Sequence, residues 1–275
     1  MNKLGLGTVQ FGQAYGVSNK RGQVTLDDAR AILARAAQGG VTLLDTAANY
    51  GESEQVLAAL DTAPFRIVTK TIHARHGVDA VVARARQSAR ALKADTLLVH
   101  AAADLADAAL WPALQALKAE GVFRRIGIST YAADDPAALA ARFRPDVMQL
   151  PVSLLDQRLL KDGTLARLAA MGVEVHARSV FLQGLLFLET LPPKLQSAAP
   201  RLAAIRTWII HAGSTPLAAA LGFVLSRPEI AIALVGVTAP GELEEILAAA
   251  SAPLPALDWD ALALDDETVL TPSLW

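Results

Sequence analysis

Short aliphatic and β-branched runs alternate with longer Ala/Leu-rich amphipathic segments along the whole chain, and this alternation restricts the possible folds most strongly. The aliphatic runs predict strands at residues 4–10, 42–45, 66–71, 96–100, 125–129, 147–150, 173–177 and 231–235. The amphipathic segments predict helices at residues 25–38, 52–60, 78–92, 108–119, 135–142, 160–170, 216–225 and 240–249. Strands that alternate with helices form parallel sheets, and eight of each predict an α/β fold, a closed (β/α)8 TIM barrel.

The ends of the predicted helices carry residues that usually stop or start a helix. Gly121 ends one helix just before a strand, and Asp135 with Pro136 begins another. No linker or change in composition interrupts the chain, so residues 1–275 are expected to form one barrel domain. The C-terminal tail ends on Trp275. Because an aromatic side chain is costly to leave in water, we expect this tail to pack over the barrel mouth.

Composition and charge exclude several classes of function. The 25 Lys and Arg residues and 27 Asp and Glu residues give a formal net charge of −2, which provides no attraction for nucleic acids or anionic membranes. The absence of cysteine excludes disulfides, thiolate metal sites and thiol nucleophiles. His73 and His76 lack a nearby carboxylate, and we expect no metal site. Neither a secretion signal nor an apolar stretch of about 18 residues is present, so a soluble cytoplasmic protein is expected.

Four reactive side chains lie at or just after the ends of three consecutive predicted strands: Asp45, Tyr50, Lys70 and His100. Taken singly, each has an ordinary structural explanation, as a turn cap, a packed ring or a core group. Neighbouring barrel strands lie about 4.8 Å apart, however, so an acid, a phenol, an amine and an imidazole at these positions converge on one point. We therefore interpret the four as a candidate catalytic group.

The chemistry of this group is the protonation of a carbonyl. A nearby ammonium lowers the pKa of a phenol, and Lys70 supplies that ammonium beside Tyr50 while Asp45 keeps it charged and oriented. The imidazole of His100 donates a hydrogen bond to a carbonyl oxygen as negative charge grows there. No amino-acid side chain delivers a hydride, so this chemistry predicts a nicotinamide cofactor.

The segment at residues 45–54, Asp-Thr-Ala-Ala-Asn-Tyr-Gly-Glu-Ser-Glu, resembles a highly specific motif of the aldo-keto reductases. Weaker matches in the same order lie at residues 5–12, 69–71, 98–100, 126–129 and 149–152. The resemblance implies an enzyme that uses NADPH or NADH to reduce an aldehyde or ketone to an alcohol. In it, Asp45, Tyr50, Lys70 and His100 match the catalytic tetrad, with Tyr50 as the general acid.

The resemblance also implies binding residues. Ser129 and Gln149 match residues that hold the nicotinamide carboxamide. The full set of implied cofactor-binding residues is Ser129, Gln149, Arg178, Ser179, Phe181, Leu182, Gln183, Gly184, Gly236, Thr238, Glu242 and Glu245. The expected substrate pocket is formed by Phe11, Tyr15, Asn49, His73 and Trp275.

Several positions depart from the family pattern, and in the loop near the adenosine phosphate they are Thr238, Ala239, Glu242 and Ile246. Thr130 stands where the family usually has Asn. Arg178 occupies the position of an aromatic residue that stacks on the nicotinamide, and two explanations are open. Its guanidinium lies on the ring and disfavours the oxidised cofactor, or it pairs with a carboxylate at the barrel mouth. Glu242 replaces a Gln or Arg near the adenosine phosphate. The negative charge of Glu242 favours NADH, whereas the usual preference of the family is for NADPH.

The residues do not identify the substrate beyond a small carbonyl compound. Segments 7–19 and 178–186 resemble a bacterial branch associated with carbohydrate metabolism, which favours a sugar-type carbonyl. An alternative is a cofactor-binding sensor or partner-binding protein that keeps the scaffold and has little turnover. The complete tetrad favours the enzyme, because a binding module does not need a Lys–Asp pair beside a phenol. Neither nucleic acid nor membrane partners are expected, and the oligomeric state is not predicted.

Overall fold

The computed structural model of the chain describes residues 3–275, and within them eight parallel strands close into a barrel. The strands are β1 (Leu4–Gly7), β2 (Leu43–Asp45), β3 (Arg66–Lys70), β4 (Thr96–Val99), β5 (Arg125–Ser129), β6 (Val147–Pro151), β7 (Glu174–Arg178) and β8 (Ile230–Gly236). They are neighbours in chain order, and β8 returns to pair with β1 through Leu4 and Ala233. The predicted (β/α)8 barrel is therefore confirmed.

Helices cover the outside of the barrel. They are α1 (Val9–Gly12), α2 (Leu26–Gln38), α3 (Ser53–Ala58), α4 (Val78–Leu92), α5 (Leu110–Ala119), α6 (Pro136–Phe143), α7 (Arg158–Lys161), α8 (Thr164–Ala170), α9 (Ala199–His211), α10 (Pro216–Leu225), α11 (Pro240–Ala250) and α12 (Glu267–Leu270). Short 3₁₀ helices lie at Ala74–His76, Ala102–Ala106, Ala132–Asp134, Leu182–Phe187, Pro193–Ala198, Asp260–Leu262 and Pro272–Leu274. The predicted caps are present: the Asp135 side chain accepts from Ala138 N, and Gly121 has a φ of 75°.

Several elements differ from the prediction, including the short helix α12 in a tail that was expected to be irregular. The first strand ends at Gly7 rather than residue 10, and the next residues form α1. The helix predicted at 160–170 is divided into α7 and α8 because Gly163 adopts a left-handed conformation with a φ of 77°. Helix α9 was not predicted. It exposes Trp208 and Ile210 as well as burying apolar side chains, which obscures the helical period of its sequence.

The barrel has two apolar layers. Its interior is filled by six buried side chains: Leu43, Val68, Leu98, Val147, Ile232 and Leu234. A larger cluster lies between the strands and the surrounding helices, and it includes Leu33 of α2, Leu114 of α5 and Leu168 of α8. Side chains on successive strands thus fill the barrel as a core rather than a pore, and the open space lies beyond the strand ends.

The N-terminal end of the barrel is closed by a charged cluster at the first residues of the strands. The Glu174 carboxylate lies 2.9 Å from an Arg125 nitrogen and 3.4 Å from an Arg66 nitrogen. Arg125 also pairs with Asp95 at 3.3 Å, and the buried His176 ring lies 2.8 Å from Glu174. The hydrogen bond with His176, opposed by burial and aided by the arginines, lowers the pKa of Glu174 to about 2.

The tail at residues 251–275 packs beside the loop that follows β6. Leu264 N donates to Leu155 O over 2.9 Å, and Gln157 Nε2 donates to Trp259 O over 2.7 Å.

None of the helices described for residues 3–275 is by itself long and apolar enough to span a bilayer. Two of them, with the preceding 3₁₀ turn, satisfy length and composition only as a pair bent by 86°.

Candidate active site

A cavity of about 1170 Å³ opens beyond the C-terminal ends of the strands. Its walls include Asp45, Tyr50, His100, Ser129 and Gln149, and the ends of β7 and β8. In TIM barrels this end carries the active site, because loops after the strands surround it. The volume exceeds the roughly 300–1,000 Å³ of a site for one drug-sized ligand, so a dinucleotide and a small molecule can share it.

A buried ion pair lies at the base of the cavity. Lys70 Nζ donates to Asp45 Oδ2 over 2.6 Å and to Thr46 O over 2.9 Å, and Lys70 is only 1% exposed. Gln149 Nε2 donates to the other carboxylate oxygen of Asp45 over 2.7 Å. Burial lowers the pKa of Lys70, but the opposing effects of Asp45 and Tyr50 outweigh it, so the pKa lies above its ordinary value. Lys70 is therefore a permanent cation.

The phenol and the imidazole stand over this ion pair. Lys70 Nζ lies 4.7 Å from the centre of the Tyr50 ring, and the Tyr50 and His100 ring centres are 5.6 Å apart at 81°. Burial, then the positive charge of Lys70 and smaller effects of His73 and Arg178, lower the pKa of His100 to about 3. His100 is thus neutral at pH 7 and carries one N–H. The structure brings all four predicted catalytic side chains together.

Two glycines fix the backbone that carries Tyr50. Gly51 has a φ of 52°, and a Cβ on Gly12 would lie 1.8 Å from Tyr50 O. A Cβ on Gly51 would in turn lie 2.2 Å from Gly12 O. The end of α1 therefore touches the Tyr50 turn directly, backbone against backbone. Only glycine permits this approach at both positions, which explains the Phe-Gly and Tyr-Gly pairs of the sequence.

Glu54 is a positioning residue that sequence reasoning did not single out. It is 7% exposed at the start of α3, and Thr69, the residue before Lys70, donates to its carboxylate over 2.6 Å. Ser88 of α4 also donates to Glu54 over 2.9 Å, and Arg84 forms an ion pair with it. The carboxylate therefore joins α3 and α4 to β3 next to the catalytic lysine. The signal in the sequence is the Glu that ends the Tyr-Gly-x-Ser-Glu motif.

Eleven of the twelve predicted cofactor residues line the cavity: Ser129, Gln149, Arg178, Ser179, Phe181, Gln183, Gly184, Gly236, Thr238, Glu242 and Glu245. The exception is Leu182, which is 1% exposed and packs in the core. The loop after β7 turns sharply there, with positive φ values at Ser179, Leu182 and Gln183. This turn brings residues 179–181, 183 and 184 to the cavity wall and leaves Leu182 beneath it.

The loop after β7 meets the loop after α1 across the cavity. Val17 N donates to the Gln183 side chain over 3.2 Å, and a Cβ on Gly184 would lie 2.6 Å from Ser18 Oγ. Residues of the first loop, including Tyr15 and Ser18, line the cavity. Burial, aided by Tyr50 and Tyr131 and opposed by the charge of Arg178, raises the pKa of Tyr15. Of the predicted substrate-pocket residues, Tyr15 is the member found in the cavity wall.

The other four predicted pocket residues lie elsewhere. Phe11 is fully buried and belongs to the core, because α1 turns its ring inward. Asn49 is exposed and outside the cavity wall. His73 stacks on His100 at 6.4 Å, with its Nδ1 3.3 Å from Asp104, and does not line the cavity. Trp275 bonds through Nε1 to Thr268 O over 2.9 Å, so the tail folds on itself and lines none of the cavity.

Glu242 occupies the end of the loop after β8. Its two carboxylate oxygens accept from Thr238 N over 2.6 Å and from Thr238 Oγ1 over 2.9 Å. Both residues line the cavity, and Glu242 lies in the first turn of α11. Amides at a helix N-terminus attract anions. Here the Glu242 carboxylate itself accepts from the Thr238 amide just before the helix.

Arg178 ends β7 on the cavity wall and pairs with no carboxylate within residues 3–275. Its guanidinium lies over the Tyr131 ring at 4.2 Å, and Nη2 donates to Thr130 O over 3.1 Å. Of the two explanations left open by the sequence, pairing with a carboxylate does not occur. The Thr130 hydroxyl donates to Asp134 over 2.8 Å. Thr130, which stands where the family usually has Asn, therefore fixes the loop and does not line the cavity.

Comparison with known proteins agrees with this geometry. The chain is 28% identical to L-galactose dehydrogenase of Arabidopsis thaliana, over 98% of this chain and 88% of that protein. It is 30% identical to an uncharacterized oxidoreductase of Mycobacterium tuberculosis, over 95% of this chain and 88% of the relative. Its fold matches the holo form of an aldo-keto reductase from Bacillus halodurans with a TM-score of 0.76, at 22% identity, over 94% of this chain and 90% of that one.

The family model described as the aldo/keto reductase family matches residues 3–264, which is nearly the whole chain. Members of this family are oxidoreductases that act on carbonyl groups, and the side chains at the strand ends suit that chemistry. With the fold, the relatives and the family model in agreement, the chain belongs to the aldo/keto reductase family.

Proposed function

We propose that this protein reduces the carbonyl group of a small aldehyde or ketone with NADH, and that Tyr50 is the general acid. The observation that carries the proposal is the buried Lys70–Asp45 pair directly beneath Tyr50, with Nζ 2.6 Å from the carboxylate and 4.7 Å from the phenol ring. Fold stability alone does not explain this buried ion pair, because apolar side chains of similar volume often stabilise a fold equally well. The buried pair has a clear use in stabilising a phenolate.

Each polar group has a distinct role in this reaction. Tyr50 donates its hydroxyl proton to the carbonyl oxygen, and Lys70 stabilises the phenolate that remains. Asp45, held by Gln149, keeps Lys70 in place. The neutral imidazole of His100 donates a hydrogen bond to the same oxygen, since the lowered pKa leaves it uncharged at pH 7. Water then donates a proton to the Tyr50 phenolate and restores the acid.

The cavity fits a nicotinamide cofactor, which supplies the hydride when bound. Ser129 and Gln149, which pair across β5 and β6, present side chains that can hold the carboxamide. The cavity continues past β7 to the loop after β8 and the first turn of α11, where a dinucleotide would place its adenosine. This length of wall, with polar groups at both ends, suits an extended ligand more than a small one.

Glu242 favours NADH over NADPH in this proposal. Its carboxylate accepts the Thr238 amide proton, so the amide is not free to bind a phosphate. A 2′-phosphate would also meet a like charge, at a cost of roughly 1 kcal/mol in water and about 4 kcal/mol at an effective dielectric of 20 for charges 4 Å apart. A ribose hydroxyl carries no charge and can donate to a carboxylate, as acidic residues in NAD-binding folds commonly allow.

The cofactor experiment measures the dissociation constants of NADH and NADPH for three proteins. We expect the wild type to bind NADH more tightly and Glu242→Gln to gain affinity for NADPH by about tenfold, since that factor corresponds to 1.4 kcal/mol. Glu244→Gln is the matched control, because Glu244 lies on the same helix, pairs with Arg35 at 3.2 Å and is outside the cavity wall. Tighter NADPH binding by the wild type, unchanged in Glu242→Gln, contradicts the assignment.

For the substrate we propose a sugar-type carbonyl. The relative from Arabidopsis thaliana is named for a sugar, and the space beside Tyr50 and Tyr15 is lined by groups that can hydrogen-bond to hydroxyls. The test follows NADH oxidation with a panel of aldehydes, ketones and sugars, and NAD reduction with the matching alcohols. Cofactor binding without turnover on the whole panel would support a sensor that retains the scaffold, and would overturn the enzyme proposal.

A further inference from the structure

The end of β7 presents a positive charge that the protein does not neutralise. Arg178 is half-buried in the cavity wall, and the groups that accept from its guanidinium are the Thr130 carbonyl at 3.1 Å and the Ser179 hydroxyl at 3.3 Å. Both acceptors are uncharged. A partly desolvated cation without an acidic partner is unfavourable. An unneutralised guanidinium in a ligand cavity therefore requires a reason.

The loop after β5 is built to hold this guanidinium flat. The Tyr131 ring supports one face at 4.2 Å, and the carboxylate of Asp134 accepts from Tyr131 N over 2.7 Å. That carboxylate also accepts from the Thr130 hydroxyl, so it fixes the loop instead of pairing with Arg178. A planar guanidinium that rests on one aromatic ring leaves its opposite face available to a second planar group.

Arg178 lies close to where a nicotinamide ring would bind. In the barrel, Ser129 pairs with Gln149 across β5 and β6, and Pro151 at the end of β6 pairs with Arg178. Gln149 thus lies on the strand next to Arg178, two residues before the register partner of Arg178, and Ser129 lies one strand further. Neighbouring barrel strands are about 4.8 Å apart. The charge of Arg178 also contributes to lowering the pKa of His100, so its field reaches the carbonyl site.

We propose that Arg178, held on Tyr131, raises the reduction potential of the bound NAD/NADH couple, because its charge favours the reduced ring over the oxidised ring. The inference rests on the proposed function. In carbonyl reduction a hydride, with its two electrons, passes to the carbonyl carbon, a proton passes from Tyr50 to the oxygen, and the ring gains one positive charge. A fixed cation beside the ring repels the charged, oxidised form and not the neutral, reduced form.

Two consequences follow for catalysis. NADH binds more tightly than NAD, so the oxidised cofactor leaves readily after each reduction. On the enzyme, the equilibrium between the carbonyl with NADH and the alcohol with NAD lies further towards the carbonyl than it does in solution. Each tenfold change in the ratio of the two cofactor affinities corresponds to about 30 mV in the potential of the bound two-electron couple. Arg178 is therefore a residue that sets the energetics of both reaction directions.

The experiment measures the dissociation constants of NADH and NAD, without substrate, for the wild type and four variants. We expect Arg178→Met to lower the ratio of the NAD constant to the NADH constant at least tenfold, and Arg178→Lys to retain part of it. Tyr131→Leu is expected to give an intermediate ratio, because the charge remains but is no longer held flat. Arg21→Met is the control, since Arg21 lies on the cavity wall and its nearest acid is Asp28 at 3.8 Å. Its ratio should equal that of the wild type.

The outcomes separate this inference from the proposed function. If the wild type binds neither cofactor, the proposed function fails. If it binds both and Arg178→Met weakens them equally, Arg178 holds a group common to the two forms, such as the pyrophosphate, and the inference is overturned. An unchanged ratio in Arg178→Met overturns it as well. Arg178→Lys keeps the charge, so it provides a folded comparison if the methionine variant is unstable.

Discussion

The two ends of the barrel both carry clustered charges, but only one end leaves charges and protons available. At the N-terminal end, Glu174 is shared by Arg125, Arg66 and His176, and both arginines have an acidic partner. At the C-terminal end, one complete ion pair lies beneath a phenol and a neutral imidazole, and Arg178 faces the cavity without an acid. At the N-terminal end, paired charges close the barrel. At the C-terminal end, where barrel enzymes carry their active sites, polar groups without an ionic partner stand above one ion pair and are available to a ligand.

The removal of the Tyr50 hydroxyl should have the largest effect on activity. In Tyr50→Phe the ring remains and the proton donor is lost, so we expect turnover to fall by about 10²- to 10⁴-fold with little change in cofactor affinity or melting temperature. Steady-state kinetics and a thermal melt measure both. Tyr131→Phe is the matched control, because it removes a hydroxyl in the same cavity and keeps the ring under Arg178. Turnover of Tyr50→Phe close to wild type would contradict the assignment of the general acid.

A methyl group at Gly12 should disturb the reactive end through the backbone. The added Cβ would lie 1.8 Å from Tyr50 O, so the Tyr50 turn has to move in Gly12→Ala. We expect a loss of roughly 1–3 kcal/mol in the free energy of unfolding and a larger relative loss of turnover. Gly241→Ala is the control, because its Cβ would meet nothing within 4 Å. If Gly12→Ala retains full turnover, the turn does not need this contact.

A change in the charged cluster at the N-terminal end of the barrel should lower stability without changing catalysis. Glu174→Gln removes the charge shared by the cluster, and we expect it to lower the free energy of unfolding by roughly 1–3 kcal/mol at pH 7, with turnover per folded molecule unchanged. Urea unfolding measures this loss. Glu120→Gln is the control, since that residue forms an exposed pair with Arg86 and should lose less than about 1 kcal/mol. A selective loss of turnover in Glu174→Gln would remove the distinction between the ends.

The same variant should also change the acid sensitivity of the fold. The pKa of Glu174 is about 2 in the folded protein, below the ordinary value of 4.5, so the unfolded chain takes up the proton first. The stabilisation is therefore complete above about pH 4.5 and is lost as the pH falls towards 2. We expect the difference in unfolding free energy between wild type and Glu174→Gln to shrink over that range. A difference that stays constant from pH 6 to pH 3 would show that the charge is not responsible.

The smallest expected signal is the absence of a titration at the open end. The pKa of His100 is about 3, so the ring stays neutral from pH 5.5 to 8 and kcat/KM should show no inflection from it. The unfolded chain binds this proton below about pH 6.5, so the contribution of His100 to stability falls as the pH decreases from 6.5 towards 3. NMR of the histidine rings, with His100→Gln to identify the resonance, checks the pKa directly. A midpoint between pH 6 and 7 would contradict it.

The alternation of segments was sufficient to predict the barrel, because each parallel strand must return through a helix. The strand ends then indicated the catalytic side chains, since all strands of such a barrel end at one face. Helix α9 was missed because its apolar side chains point both inwards and outwards, which hides the period. Phe11 was placed in the pocket, although a short helix after Gly7 turns it into the core.

The sequence by itself determined the barrel, the order of its strands and the meeting of Asp45, Tyr50, Lys70 and His100, because these depend on periodicity and on which strand carries each residue. Only the tertiary structure decided the partners of side chains that could reach several neighbours. Glu242 turned to the Thr238 amide, and Arg178 took the Tyr131 ring instead of a carboxylate. Long side chains choose partners by distance across loops, and the residues around them in the sequence do not specify those distances.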